Sequence, residues 1–345
     1  MTPEREQQRL DDTSRAPLMI GVLLAAELAG LTVEQIADPP VSFRLAASAQ
    51  RTLNPFTASY AHDEAWLLSQ ADRVRQLAET VISHPARAWW WAAMDPTRQV
   101  WSRMGPHASE PAPGAVVRPG GSAETQRRIS RWEDYAHRSA HAMRTSTVEV
   151  GGETSMAVAT HMLAGDIPGP REEIGRFRMP VRRGARVFEI HGPADWHRLA
   201  TTSGRVADLS RMGLQHVPSR TVPKWSRVLK DWDGVHLSLG GLLLSTEVSY
   251  ETDRGLTRFW SWESEQTQWT SWVFDEPEAL LNAFTRSDEQ RTDDGGYVIE
   301  MPRDPAFGMC PGELALFRPS KPIEVRGDQQ RQPVPVIAAG ARRWV

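Results

Sequence analysis

Apolar residues recur at three and four along His62 to Ser83, where Leu67, Ala71, Val74, Ala78 and Val81 share one stripe. The apolar run ending at Gly30 also reads as a helix, and helical signals dominate to about residue 103. Residues 1–15 are polar enough to read as a disordered, frayed end. Pro85 breaks the chain ahead of Trp89-Trp90-Trp91. Residues 104–123 then gather Pro106, Pro111, Pro113 and Pro119 among Gly105, Gly114, Gly120 and Gly121, the composition of a loop or linker.

Beyond it, Glu124 to Arg144 reads as a helix with Ile129, Trp132, Ala136 and Met143 on one face. Arg186 to Ile190 reads as a strand, Pro193 as the first residue of a helix reaching about Ala200, and Pro223 to Trp232 as an amphipathic helix. From Val235 to Phe274 the period changes to two. Val235, Leu237 and Leu239 alternate up to Gly240-Gly241, and Leu242, Leu244 and Val248 alternate away from it, the pattern of a hairpin closed by a two-residue glycine turn. Strands at Leu256–Trp262 and Gln268–Phe274 would extend this hairpin into a meander. Asp275 with Glu278 three residues on reads as the capping box of a following helix. Short strands are expected at Tyr297–Met301, Leu314–Phe317 and Ile323–Val325, and an irregular tail over 328–345. The expected fold is therefore α+β: a helical N-terminal third over 16–103, then a mainly antiparallel sheet with flanking helices over 124–327.

The 345 residues are 40% apolar, enough for a substantial core. A formal net charge of −3 carries no basic excess, so neither nucleic acid nor an anionic membrane is the expected partner. Leu18 to Leu31 is interrupted by Glu27 and falls short of the roughly 20 apolar residues that span a bilayer. The acidic residues before it, Glu4, Glu6, Asp11 and Asp12, do not make the basic start of a signal peptide. The single cysteine, Cys310, excludes an internal disulfide and fits a reducing, cytoplasmic setting. Oligomeric state is not legible.

Glu133, His137 and His141 fall at i, i+4 and i+8 of the expected helix, but both histidines point away from its apolar face, and a solvated face accounts for them. No metal site is expected, and no cofactor motif stands out. Ala26, Gly30 and Ile36 resemble the spacing of a helix-turn-helix. However, Pro39-Pro40 would cut the second helix short, and Glu27, Glu34 and Asp38 would repel phosphate, so two packed structural helices are the expectation.

The candidate chemistry lies further on. Trp260 and Trp262 share a strand face with Arg258, Trp269 follows on the next strand, and Glu263 and Glu265 lie at or near the turn between them. Aromatic rings beside carboxylates can stack on a sugar or base and bond its hydroxyls. Arg44, Thr145-Ser146-Thr147 and the pair Glu263 and Glu265 occur in the order that resembles the arginine-serine-glutamate ADP-ribosyltransferases. Their intervals are longer than the usual ones, and Thr145-Ser146-Thr147 departs from Ser-Thr-Ser. That resemblance implies a phosphate held by a strand-borne Arg44, a site oriented by Ser146, and the nicotinamide ribose of NAD gripped by Glu265. His191 ends a strand just before a helix start, and Asp233 precedes His236, which alternates away from Val235 and Leu237. Either histidine could act as a general base, with Asp233 orienting it.

The expectation is a cytoplasmic enzyme of accessory metabolism acting on a small polar or nucleotide-like ligand. His236, Asp233, Glu265, Glu263 and His191 would supply carboxylate and histidine acid–base chemistry beside an aromatic surface of Trp260, Trp262, Arg258 and Trp269. The alternatives are a noncatalytic ligand-sensing or protein-interaction module, and the NAD-using enzyme of the resemblance.

Overall fold

A computed structural model describes residues 2–53, 60–104, 111–112, 143–147, 149–150, 153–154, 174–207, 220–259, 262, 264–280, 289–291 and 297–299. The chain divides into two compact units, one including Met1–Arg87 and the other including Ala88–Met156 and Ile174–Ala283. Most of the expected linker 104–123, nearly all of the expected helix Glu124–Arg144 with Glu133, His137 and His141, and the segments around Cys310, 314–317, 323–325 and 328–345 lie outside the described residues. Met143 and Arg144, expected at the end of that helix, belong to a strand.

Within Met1–Arg87 the first unit is helical, with α1 (Pro3–Thr13), α2 (Pro17–Leu28), α3 (Val33–Ala37), α4 (Pro39–Thr52), α5 (Tyr60–Ser69) and α6 (Ala71–Ser83). Residues 3–13, expected to be frayed, form a helix because Pro3 starts it, Glu4 and Glu6 suit the positive N-terminal end, and it packs on α2 and α6. Helix α2 is apolar on every side up to Glu27 in its last turn, and each residue from Leu18 to Ala26 is buried; α1, α4, α5 and α6 all pack on it. It ends at Gly30, whose φ of 64° is left-handed. Thr32 and Gln35 then cap α3 reciprocally, with Thr32 N donating to Gln35 Oε1 at 2.8 Å and Gln35 N to Thr32 Oγ1 at 3.3 Å. Helix α3 is only 5 residues long and buries Ile36, and Pro39 opens α4 directly after it, so the segment resembling a helix-turn-helix is three short-linked packing helices.

In the second unit, a four-stranded sheet runs in the order β2 (Met143–Thr145), β12 (Gln266–Trp269), β9 (Gly234–Leu237), β6 (Val187–Ile190). Strand β12 is antiparallel to both neighbours, while β6 and β9 are parallel. Parallel neighbours need a crossover, which here contains α7 (Pro193–Ser203), the pair β7 (Gly204–Val206) and β8 (Thr221–Pro223), and α8 (Trp225–Asp231). The expected hairpin at Gly240-Gly241 is not formed. Ser238 ends the strand and accepts from Gly241 N at 3.1 Å, so Leu239–Ser245 is a capped, wholly buried helix, α9. The meander is therefore replaced by β9, then α9, then the hairpin of β10 (Ser249–Thr252) and β11 (Gly255–Arg258), before β12 returns to the sheet beside β9. The helix expected at Asp275 is also absent. Glu278–Ala279 is strand β13, and it joins β1 (Val100–Met104) and β5 (Ile174–Arg178) in a second sheet. A further hairpin of this unit pairs β3 (Glu149–Val150) with β4 (Glu153–Thr154), while β14 (Glu289–Arg291) and β15 (Tyr297–Ile299) form a hairpin of the first unit, which also includes Phe284–Arg343.

Register sorts the side chains of the four-stranded sheet into two faces. Phe188, Ile190, Val235 and Leu237 make one face apolar on β6 and β9, where Arg198 of α7 lies 5.0 Å over the Phe188 ring, and Gln266, Gln268 and Arg144 continue that face on β12 and β2. On the other face, Met143, Trp269 and Val187 belong to a core with Met179 and Phe274. One step along the strands, this same face turns polar. Thr145, Thr267, His236 and Glu189 stand in one row across all four strands.

Candidate functional site

His236 is fully buried in this row and lies between two carboxylates. Nδ1 lies 2.5 Å from Glu189 Oε2, and Nε2 lies 3.3 Å from Glu265 Oε1. With both ring nitrogens protonated, both donate. Burial alone would lower the pKa of the imidazolium, but the hydrogen bonds and charges of Glu189 and Glu265 outweigh it and push that pKa up to about 9. Burial likewise opposes ionisation of Glu189, yet its hydrogen bond to His236 and the imidazolium charge hold it below the ordinary carboxylate value, helped by the Met94 amide. The Met94 N–H donates to Glu189 Oε1 at 3.1 Å.

Glu265 is fixed from a different strand. Its Oε1 also accepts from Thr147 N at 3.0 Å, and its main-chain oxygen accepts from Ser146 Oγ at 3.1 Å. The Thr147 turn is held in place by Gln99, which donates to Thr147 Oγ1 at 2.7 Å and to Asp95 O at 3.0 Å, and accepts from the Thr145 hydroxyl. Trp269 Nε1 donates to Thr145 Oγ1 at 2.7 Å. The ion pairs thus stand on a buried polar scaffold in which each strand of the sheet supplies a hydrogen-bonding group.

The scaffold opens at one end. The side chains of His236 and Glu265 are 2% and 3% exposed, whereas those of Glu189 and His191 are 26% and 28% exposed. His191 leaves the sheet two residues after Glu189. Its Nε2 lies 3.9 Å from Glu189 Oε2, its Nδ1 lies 3.0 Å from Ser238 Oγ, and its main-chain N donates to Asp195 Oδ2 at 2.9 Å.

The structure therefore brings together His236, Glu265 and His191 of the sequence-identified residues, and joins them through Glu189, which sequence reading missed. Its signal was a lone carboxylate inside the strand Val187-Phe188-Glu189-Ile190, pointing away from the apolar face. Asp233 does not orient His236. Its Oδ2 accepts from Arg186 N at 2.9 Å, with Arg186 Nε 3.5 Å away, so it ties the starts of β6 and β9 together. The aromatic surface is not an open wall: Trp269 is buried against Phe274 with ring centroids 5.1 Å apart, and Trp262 is buried against Phe259 with centroids 5.6 Å apart. Arg258 Nε donates to Glu247 Oε2 at 2.8 Å in a largely buried pair. Trp260 and Glu263 lie outside the described residues. Arg44 lies in helix α4 of the first unit, not on a strand, and Glu265 is committed to His236 and Thr147, so the arrangement implied by the transferase resemblance is not the one observed.

Among the described residues, no group of three or more His, Cys, Asp or Glu side chains could hold a metal ion, and no helix is long and apolar enough to cross a membrane. No protein-family model, curated protein or solved structure matches the chain.

Proposed function

We propose that the second unit belongs to a cytoplasmic enzyme that binds a small polar molecule at Glu189 and His191 and acts on it by general-base catalysis. The observation that carries this reading is the gradient of exposure along the hydrogen-bonded chain. A network built only for stability has no need to set an imidazole and a carboxylate side by side with about a quarter of each exposed. Glu189 supplies a negative charge that His236 keeps ionised at neutral pH, and His191 supplies the nitrogen that takes a proton from the ligand. His236 and Glu265 are too deeply buried to touch a ligand, so they act as positioning residues. The single cysteine of the chain supports the reducing compartment.

A thermal-shift screen of the whole chain against sugars, amino acids, amines, nucleotides and phosphosugars tests the reading. A ligand present at about a hundred times its dissociation constant stabilises by about 2.7 kcal/mol. The expected result is a shift for one ligand class that disappears in Glu189→Gln and in His191→Gln. A shift that survives both substitutions places the ligand elsewhere, and a chain that responds to none of these ligands favours a protein-interaction module; either result overturns the proposal.

A further inference from the structure

Strand β6 ends its sheet, and among the described residues no strand lies beyond it. On the face that carries the His236 network β6 shows two side chains in turn, Val187 and Glu189, about 7 Å apart along the strand. The two oxygens of Glu189 have different surroundings. Oε2 meets His236 and His191, whereas Oε1 accepts from the Met94 N–H at 3.1 Å. Both Met94 and Val187 pack against the buried core of Met143, Met179, Trp269 and Phe274, and both remain partly exposed. The carboxylate thus lies between a polar border at His191 and an apolar one at Met94 and Val187.

The apolar border does not stop at these two residues. Ala185, Trp272 and Val273 pack on the same core and are likewise partly exposed. Single apolar side chains on a surface need no explanation, but these share one core and begin beside the exposed carboxylate. Sites for small molecules are built in this way, with an apolar lining and a few polar groups that fix orientation. Methionine suits such a lining, because its unbranched side chain adapts to the shape laid against it. A wholly polar molecule bonded to Glu189 would leave Met94 and Val187 in water and gain nothing from them. One with a short hydrocarbon arm covers them, and each methylene so buried tightens binding about fourfold.

We infer that the ligand held at Glu189 is amphiphilic: a hydrogen-bond donor meets the carboxylate, and a short apolar arm lies over Met94 and Val187. This rests on the assignment of Glu189 as the ligand-binding carboxylate. Two homologous series separate the claims: ethyl, butyl and hexyl glucoside, and ethyl-, butyl- and hexylamine, each titrated calorimetrically into the full chain at neutral pH. In at least one series binding should tighten about tenfold or more from the ethyl to the butyl member, and it should be lost throughout in Glu189→Gln. Met94→Gln keeps the main-chain N–H that Glu189 accepts from, so it should leave the ethyl member bound while flattening the dependence on chain length. Val187→Thr, of nearly the same shape, should weaken that dependence independently. Binding that needs Glu189 yet is equal for the ethyl and hexyl members leaves the site standing and overturns the apolar arm. A dependence on chain length that survives both Met94→Gln and Val187→Thr puts the arm elsewhere and overturns it as well. If no member of either series binds through Glu189, the site and the arm fall together.

Discussion

A single imidazole sets the pH response of the second unit. The folded-state pKa of His236 lies near 9, above its ordinary 6.5, so its contribution to stability is complete below about 6.5 and is lost as the pH rises through 9. Glu189 behaves oppositely: its depressed pKa gives a contribution present above its ordinary 4.5 and lost as the pH falls through the folded value. Stability from this network is therefore greatest between about 4.5 and 6.5. The rise from 6.5 to about 9 corresponds to about 3 kcal/mol. Replacing His236 by Gln leaves the buried Glu265 and the partly buried Glu189 without their cation, which should cost about 3–5 kcal/mol at neutral pH and remove the decline between 6.5 and 9. Denaturant titrations of both proteins at several pH values check this, and an unchanged alkaline slope in the variant would mean that another group titrates. His236 and Glu265 were legible in the sequence because each is a polar residue in an apolar or aromatic segment. Glu189 was not, since its partnership with His236 depends on a parallel register between strands 47 residues apart. Local order favoured Asp233 instead, and the fold spends that carboxylate on a strand start.

At the scale of elements, the most instructive stretch is Leu239–Ser245. Seven buried residues in a row satisfy a hairpin pattern and a short buried helix equally well, because periodicity discriminates poorly when every position is inside. What decides is the cap at Ser238 and the space available to the glycines. A Cβ on Gly240 would lie 2.2 Å from Trp91 Nε1, and one on Gly241 would lie 2.2 Å from Ile190 O. Both glycines therefore serve close approach of α9 to its neighbours rather than a turn. Alanine at either should cost about 1–3 kcal/mol or more. Gly241→Ala should be the worse, because a strand carbonyl yields less readily than a side chain, and it should also disturb the adjacent His191 resonances. Thermal melts with histidine spectra distinguish the two; equal and negligible losses would argue against this packing. Elements whose ends carry their own chemistry were read more closely: Pro193 starts the helix that follows Ile190, and the His62–Ser83 stripe holds although Gln70 divides it into two helices. Elements defined only by distant pairing, such as Glu278–Ala279 on Phe177 and Arg178, were read as something else.

At the scale of the molecule, each unit has a core of its own. In the first it is built around α2, buried from Leu18 to Ala26, and in the second it lies on either side of the four-stranded sheet. The distribution of tryptophan makes the two separately observable: of 14 tryptophans, Trp66 alone falls within residues 1–87, so emission reports mainly on the second unit, while much of the helical signal comes from the first. Leu23 is completely buried in α2, and truncation to alanine should cost about 2–5 kcal/mol through lost burial and the cavity left behind. Leu23 belongs to the first unit and His236 to the second, so the loss should appear in the helical transition, and the tryptophan transition should keep its midpoint and its pH dependence. Parallel denaturation followed by circular dichroism and by fluorescence is the measurement. Coincident transitions that move together in Leu23→Ala would show that the two cores unfold as one cooperative block, and the pH dependence assigned to His236 would then govern the whole chain instead of one half of it.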